Sequence, residues 1–312
     1  MPYLSLVRRQ HGPRWGNGVG IASATNSIRP KQSLKWPRYG RRLGFDKLIR
    51  RLITRASRVA KREEFHPTWR GVFINPAYLM RRELARNISA AAAESRGARV
   101  LDYGCGSKPY LRFFKNVASY TGVDVQVSGH DHTTSTVDVF LDGPVLPFPG
   151  AFFDIVVAFE VFEHVDDLAR VLREIRRITK PGGRLIATTP FVWPEHEEPY
   201  DFRRLTSFGL NAIVVQSGYA DVIVTKAGSD TRAIAQLMIT FLGRVLGPTN
   251  LLASVPFMVS VVAPLNLMAI LLDGAVPRTG QLYLSNVVTA RADSQLRSVV
   301  GGAAVDAPAA SV

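Results

Sequence analysis

Six short apolar runs, at 98–103, 119–124, 136–141, 153–159, 183–189 and 220–226, alternate with helix-like segments through the middle of this 312-residue chain. Strands that alternate with helices are driven into a parallel sheet, because joining parallel neighbours takes a crossover long enough to hold a helix. The pattern therefore predicts an α/β fold with a doubly wound, mostly parallel sheet. A helix is expected at about 77–94. Another is expected at about 165–179, where Leu168, Val171, Leu172, Ile175 and Ile178 form one apolar stripe and Pro181-Gly182-Gly183 is placed to stop it. A last run at about 281–290 makes a seventh strand and closes the sheet. The unusually apolar residues 229–279 read as a helical insertion before it.

With 46% hydrophobic residues the chain can fill a sizeable core, which excludes disorder throughout. The net charge of +14 is uneven: residues 1–64 hold 16 Lys/Arg against 3 Asp/Glu, and the rest is nearly balanced. Residues 1–44 read as a basic disordered arm, and 293–312 as a disordered Ala/Gly/Val tail. In 45–69, a basic amphipathic helix and linker, Phe45, Leu48, Ile49, Leu52, Ile53, Ala56 and Val59 recur at helical spacing among Lys47, Arg50, Arg51, Arg55 and Arg58. Such a helix either docks on the domain or lies on an anionic membrane. The main domain is expected over 70–292. The single cysteine, Cys105, excludes an intrachain disulfide and a CxxC metal pair, and Arg8 and Arg9 interrupt the short apolar start, so a cytoplasmic location is expected.

The strand Ala98–Asp102 runs into Tyr103-Gly104-Cys105-Gly106-Ser107-Lys108-Pro109, after which a helix is expected with Pro109 near its first turn. Glycines there let the backbone approach a ligand, and a helix N-terminus favours an anionic group. The third glycine of a dinucleotide fingerprint is missing, since Pro109 stands in its place. Asp124 ends the second strand, where an acid accepts hydrogen bonds from ribose hydroxyls. Together these point to a nucleoside-containing ligand.

These residues, with Asp142-Gly143-Pro144-Val145-Leu146-Pro147-Phe148, Phe153-Asp154, Glu163-His164-Val165 and Lys180-Pro181-Gly182-Gly183, resemble the class I S-adenosylmethionine-dependent methyltransferases. They match the branch that shares an LPF, FD, EH and KPGG series. The resemblance implies a seven-stranded Rossmann-like fold with S-adenosyl-L-methionine as cofactor and no metal. Asp102, Gly104 and Gly106, with Cys105 between them, would shape the pocket for its methionine part. Asp124 would hold the ribose, Asp142 and Gly143 would approach adenine, and Glu160 to His164 would line the floor. Lys108 stands where many members have a third glycine, placed to pair with the cofactor carboxylate.

Methyl transfer from a sulfonium mainly requires alignment, plus removal of a proton when the acceptor carries one. The loop after the fifth strand, Pro190 to Thr206, gathers histidine, carboxylates, arginines and aromatics at the carboxyl edge, where α/β ligands bind. His196, Asp201 and Arg204 are its candidate catalytic residues. Asp201 and Arg204 also suit an ion pair that holds the loop, and Thr206 suits a helix N-cap. The expected activity is O-methylation of a small, glycan or lipid-linked acceptor. Alternatives are an RNA methyltransferase and a catalytically inactive, membrane-associated binding or scaffold protein. The fourth strand ends in Phe159-Glu160-Val161-Phe162 without the [DN]PP[FY] signature of many nucleic-acid amino-methyltransferases, so nucleic acid is not the expected partner.

Leu251–Leu272 is a run of 22 residues without a charge, by length enough to cross a bilayer. If the last strand returns beside the strand at 220–226, both ends of the insertion lie on one side, which excludes a single crossing. Pro256 and Pro264 are expected to break or kink the run. The expectation is a pair of bent apolar helices dipping into one leaflet, or a lid over the acceptor site, with the protein peripheral on the cytoplasmic membrane face. The oligomeric state stays open.

Overall fold

The structure is a computed structural model and describes residues 62–126, 136–248 and 251–293, together with Thr54 and Val59. The basic arm 1–44 and the tail beyond Asp293 lie outside the described residues. Of the helix expected at 45–60, only Thr54 and Val59 are described, and both are helical and exposed. The chain divides into two units, Met1–Arg62 and Glu63–Val312. In the second unit, the Glu63 carboxylate accepts from the Thr68 N–H and hydroxyl at 2.7 Å each, which ties residues 63–69 to the domain start.

Seven strands form one sheet: β1 (Arg99–Tyr103), β2 (Ser119–Val125), β3 (Val139–Leu141), β4 (Phe153–Phe159), β5 (Thr179–Pro190), β6 (Tyr219–Ala227) and β7 (Ser285–Ala292). Their order is β3-β2-β1-β4-β5-β7-β6. The first five pair in parallel, and β7 runs antiparallel to both β5 and β6. The strand order reverses between β1 and β4, so the ligand crevice of such a sheet lies at their carboxyl ends.

Strand alternation sorts the core onto two faces. Val100, Ile155, Val157 and Ile186 pack on one side against Leu84, Ile88 and Ala91 of α1 (Tyr78–Glu94). Leu101, Val156 and Leu185 pack on the other against Leu172, Ile175 and Ile178 of α2 (Leu168–Ile178) and Leu210 and Val214 of α3 (Ser207–Gln216). Helix α2 opens on Asp167, whose carboxylate accepts from the Arg170 N–H at 3.0 Å. It stops at Ile178, ahead of Pro181-Gly182-Gly183. Thr179 already pairs with Phe153 as the start of β5, and the Lys180–Gly183 segment arches out of the register before Arg184 pairs with Ile155.

The expected helix after β1 is absent. Only a 3₁₀ turn, Leu111–Phe113, links the β1 turn to β2, so no α-helix N-terminus stands there to receive an anion. The side chains explain this: Tyr110 and Phe114 turn into the core against Phe159, with ring centroids 5.7 and 6.4 Å away, and too few residues remain before Ser119 for a helical crossover.

The insertion is helical, in α4 (Asp230–Val245), α5 (Leu251–Phe257) and α6 (Ala263–Asp273). It leaves after Ala227 and returns at Ser285, which are paired residues, so its two ends are adjacent. The prolines do not break the long run. A π-helical turn, Met258–Val262, follows Pro256 and joins α5 to α6, absorbing the missing N–H and the crowding ring. The Pro256 carbonyl takes the Ser260 hydroxyl at 2.7 Å, and Pro264 sits in the first turn of α6, where its lack of an N–H is harmless.

Leu172 is fully buried between α2 and the sheet. Leu172→Ala is expected to destabilise the domain by about 2–5 kcal/mol, seen as a lower urea midpoint at unchanged slope. A shift under 1 kcal/mol would contradict the packing described.

Candidate active site

The turn after β1 is built for close backbone approach. Gly104 and Gly106 are left-handed, with φ of 70° and 51°. A Cβ on Gly104 would strike Val161 at 2.5 Å, whereas Gly106 faces open space. The Gly104 and Cys105 N–H groups donate to the Val123 carbonyl at 2.9 and 3.0 Å, closing the turn onto β2. Asp124, at the β2 end, fixes its crest: Oδ2 accepts the Gly106 N–H at 2.6 Å and Oδ1 the Val125 N–H at 2.8 Å. Each oxygen keeps a further lone pair for hydroxyls. Asp142 and Gly143 follow β3 and are exposed at the same edge.

Three readings of this turn change. The Cys105 side chain is buried against Gly122 and its N–H is already donated, so its thiol, pushed up by burial, does not face a ligand. Lys108 does not reach for a cofactor carboxylate: its Nζ pairs with Asp138 at 2.5 Å, and that carboxylate also accepts the Gly122 N–H at 2.7 Å. Burial raises Asp138, but these two donors outweigh it and hold it below the usual carboxylate range. Asp102 lies beneath the turn and takes the Tyr120 hydroxyl at 2.5 Å. Burial pushes it up to about 7 despite that bond.

Across the crevice, β4 ends in Glu160, left-handed at φ 56°, and a 3₁₀ turn Phe162–His164. Burial drives Glu160 to about 7, opposed by hydrogen bonds to Thr188 and Ser285 and by the Arg81 and Arg204 charges. Glu163 is fully buried, and burial together with Glu160 raises it well above the usual range. The loop after β5 folds over this turn: the Phe202 N–H donates to the Glu163 carbonyl at 2.9 Å, and His164 Nδ1 meets the Tyr200 carbonyl at 2.8 Å. The His164 and His196 rings meet edge to face at 4.7 Å. His164 therefore sits with the β5 loop rather than on the β1 turn.

Asp201 is the loop's anchor. Its carboxylate takes Arg204 bidentately at 2.6 and 2.7 Å, the His196 N–H at 3.0 Å and His196 Nδ1 at 3.2 Å. Burial raises Asp201, but Arg204 and His196 outweigh it and hold it at about 2. Arg204 also caps the Trp193 and Pro194 carbonyls, so Asp201 and Arg204 hold the loop from within. Burial and the neighbouring His164 lower His196 against the pull of Asp201 and Glu197, which keeps it neutral at pH 7. Thr206 caps α3 by accepting the Gly209 N–H at 3.0 Å.

Sequence reasoning placed Glu160 to His164 at the floor but missed Thr188, Ser285 and Arg81 as members of this cluster. The Glu160–Glu163 spacing was visible, but the others arrive from α1, β5 and β7. Two cavities, of about 230 and 430 Å³, lie instead along α1 beside Arg82 and Arg86 and border neither Asp124 nor His196. The glycine turn, Asp124 and Glu160 gather at the carboxyl ends of β1, β2 and β4.

A glycine turn tied to an acid at the β2 end, in a sheet of this order, defines a Rossmann-like nucleoside-binding domain. Residues 77–212 match the family model described as a methyltransferase domain. The 27-O-demethylrifamycin SV methyltransferase of Amycolatopsis mediterranei is 36% identical over 101 residues, covering 28% of this chain and 37% of that protein. The ubiquinone/menaquinone biosynthesis C-methyltransferase UbiE of Ralstonia pickettii is 31% identical over 125 residues, 36% of this chain and 51% of that protein. The phthiotriol/phenolphthiotriol dimycocerosates methyltransferase 1 of Mycobacterium ulcerans is 34% identical over 109 residues, 32% and 40%. The chain thus spans about half or less of the length of these relatives. Residues 77–212 thus carry the match to a methyltransferase domain, in line with the class I S-adenosylmethionine-dependent resemblance of the sequence.

Asp102 moves from 3.8 to about 7 on folding, so between these values the folded chain binds a proton that the unfolded chain releases. Its contribution is present below the unfolded value and is lost as pH rises through the folded one. Asp102→Asn, which still accepts from Tyr120, is expected to gain stability relative to the parent as pH rises from 4 to 8, measured by urea unfolding. A difference that stays constant over that window would remove the buried acid from the account.

Proposed function

We propose that this protein transfers a methyl group from S-adenosyl-L-methionine to an oxygen of a lipid-linked or other small acceptor, working at a membrane surface. The observation that carries the reading is the β1 turn, whose open Gly106 crest is held by Asp124 inside the matched methyltransferase domain. That cradle fits the cofactor: the left-handed glycines leave room for backbone contact with its methionine part, and Asp124 has lone pairs for both ribose hydroxyls. Asp142 and Gly143 are exposed beside it, toward the adenine. The cofactor supplies an activated methyl group, so the chain's own work is alignment and proton handling. Neutral His196, held through Nδ1 by Asp201, offers its Nε2 lone pair to an acceptor hydroxyl.

The choice of a lipid-linked acceptor rests on the insertion. Arg244, at the end of α4, donates to the Glu195 carbonyl at 3.2 Å, and Val192 and Trp193 pack on the insertion's core, so the acceptor loop and the apolar helices form one body. Their outer surface exposes Ile234, Met238, Phe241, Val255, Val259 and Leu271. The stretch Ala253–Asp273 is long and apolar enough to span a bilayer by length and composition, and 28% of it is buried. With its ends adjacent, the insertion suits monotopic attachment: the exposed face enters one leaflet, and the basic segment 45–60 adds attraction to anionic lipid. The demethylrifamycin and dimycocerosates relatives bear names of small-molecule and lipid methylation, which supports an acceptor of that kind.

Asp124→Ala is expected to weaken cofactor binding roughly 10- to 100-fold by calorimetry, because it unpairs ribose hydroxyls in a cleft at ~1–3 kcal/mol. Unchanged affinity in a folded variant would sink the cofactor assignment. For the membrane, the intact chain should float with vesicles containing anionic lipid, and Phe241→Ser with Leu271→Ser should cut that binding by on the order of tenfold or more. An intact chain that is soluble and monomeric without detergent, and that ignores vesicles, would make the insertion an ordinary subdomain.

A further inference from the structure

We propose that Glu163, His164 and His196 form a binding site for a divalent transition-metal ion of the zinc or manganese kind. One donor atom from each lies within 4.8 Å of the others. Zinc bonds to nitrogen and oxygen run to about 2.0–2.2 Å, so side-chain rotations of roughly an ångström would close the set around an ion.

Hydrogen bonding decides which atoms face inward. The Tyr200 carbonyl can only accept, so its 2.8 Å contact fixes the His164 proton on Nδ1 and leaves a lone pair on Nε2. That lone pair faces Glu163 Oε1 at 3.8 Å and Glu197 Oε2 at 3.7 Å, so three acceptor atoms converge where one cation would serve them all. The Asp201 carboxylate likewise only accepts, so its 3.2 Å contact puts the His196 proton on Nδ1. Arg204 Nη2, 3.5 Å from the same nitrogen, is a donor already bound to Asp201. Both imidazoles thus present Nε2 while a carbonyl or carboxylate grips Nδ1–H, the outer-shell pattern that orients metal-binding histidines.

The second observation is independent of the histidines. Glu163 Oε1 is fully buried and has no hydrogen-bond partner, while its other oxygen takes the Thr189 hydroxyl at 3.4 Å. A buried carboxylate oxygen left unpaired costs stability unless something fills its position, and this one is aimed at His164 Nε2. Two imidazoles with one carboxylate favour a first-row transition ion over magnesium or calcium, which take oxygen donors. Glu197 Oε2, 3.7 Å from His164 Nε2, lies within reach as a further oxygen ligand. Binding of the ion stands without the methyl-transfer reading. Only its use to acidify an acceptor hydroxyl, in place of the His196 lone pair, rests on that reading.

The test uses the full chain, stripped with chelator and free of cofactor. Zn²⁺ and Co²⁺ are titrated by calorimetry and visible absorption, with Mg²⁺ as the control. The expected result is one Zn²⁺ per chain, not displaced by excess Mg²⁺. His196→Gln and Glu163→Gln should each lose at least tenfold in affinity, and Asp201→Asn should lose about 10- to 100-fold as the outer partner of His196. The Co²⁺-loaded parent should also show two strongly shifted, exchangeable imidazole N–H resonances, a readout that needs no variant to fold. A parent that takes up neither ion, folded variants that bind as tightly as the parent, or a Co²⁺ spectrum without imidazole resonances would each overturn the site. None of these outcomes bears on Asp124 and cofactor affinity.

Discussion

Two carboxyl groups, Glu160 and Glu163, are taken out of water at the end of β4, and the surrounding chain is arranged around that constraint. Burial pushes both upward, and Glu160 raises Glu163 further. Groups from three further elements answer Glu160: Thr188 from β5, Arg81 from α1 and Ser285 from β7. The β5 loop then brings Arg204 close enough to act on both acids. Because Glu160 is also left-handed, the backbone reverses at the point where the acids enter, and Val161 is thrown against Gly104. The glycine is thus required twice over, by its own φ and by the valine that fills its Cβ position. Through this single contact the β4 end and the β1 turn fix one another across the switch point.

The fold was legible where side-chain period carries the information. The centre of β4 is apolar throughout, β6 alternates, and the α2 stripe appears in the sequence as it does in the packing, because both reflect the same burial. The readings that failed share a cause: a local signal was overruled by a contact distant in sequence. Pro109 looks like a helix start, yet Tyr110 and Phe114 are claimed by Phe159. Pro181-Gly182-Gly183 looks like a helix stop, yet Thr179 is claimed by Phe153. Lys108 looks free to meet an anion, yet Asp138 lies within 2.5 Å. At the site, residues adjacent in sequence, such as Gly104, Gly106 and Asp201 with Arg204, could be read, whereas Arg81 and Ser285 carry no mark of their role until the sheet and α1 place them.

The same distinction separates the two ends of the insertion. Its closing loop is polar and local to its anchor: Asp230 accepts from Thr279, Gly280 and Leu282, and these bonds hold its carboxyl well below the usual range. Arg232 then pairs with Glu83 and Asp273, stitching α4 to α1 and to the end of α6. The base of the insertion is therefore fixed on the domain by buried polar pairs, while its outer face is apolar. Its inner face is apolar as well, with Ala233, Ile239 and Val262 in one buried cluster with Val72 and Leu79, whereas an ordinary subdomain turns charges outward.

That exposed apolar face bears on how the β5 loop is held. The loop is pinned from within by Asp201 and Arg204 and from outside by Arg244, which stands on the apolar helix α4. Arg244 and the Trp193 packing thus join α4 to the segment that bears His196. A loop joined to the sheet alone would feel no such coupling. Here the His196 imidazole hangs between the β4 end, through its edge contact with His164, and an insertion whose outer face exposes apolar side chains.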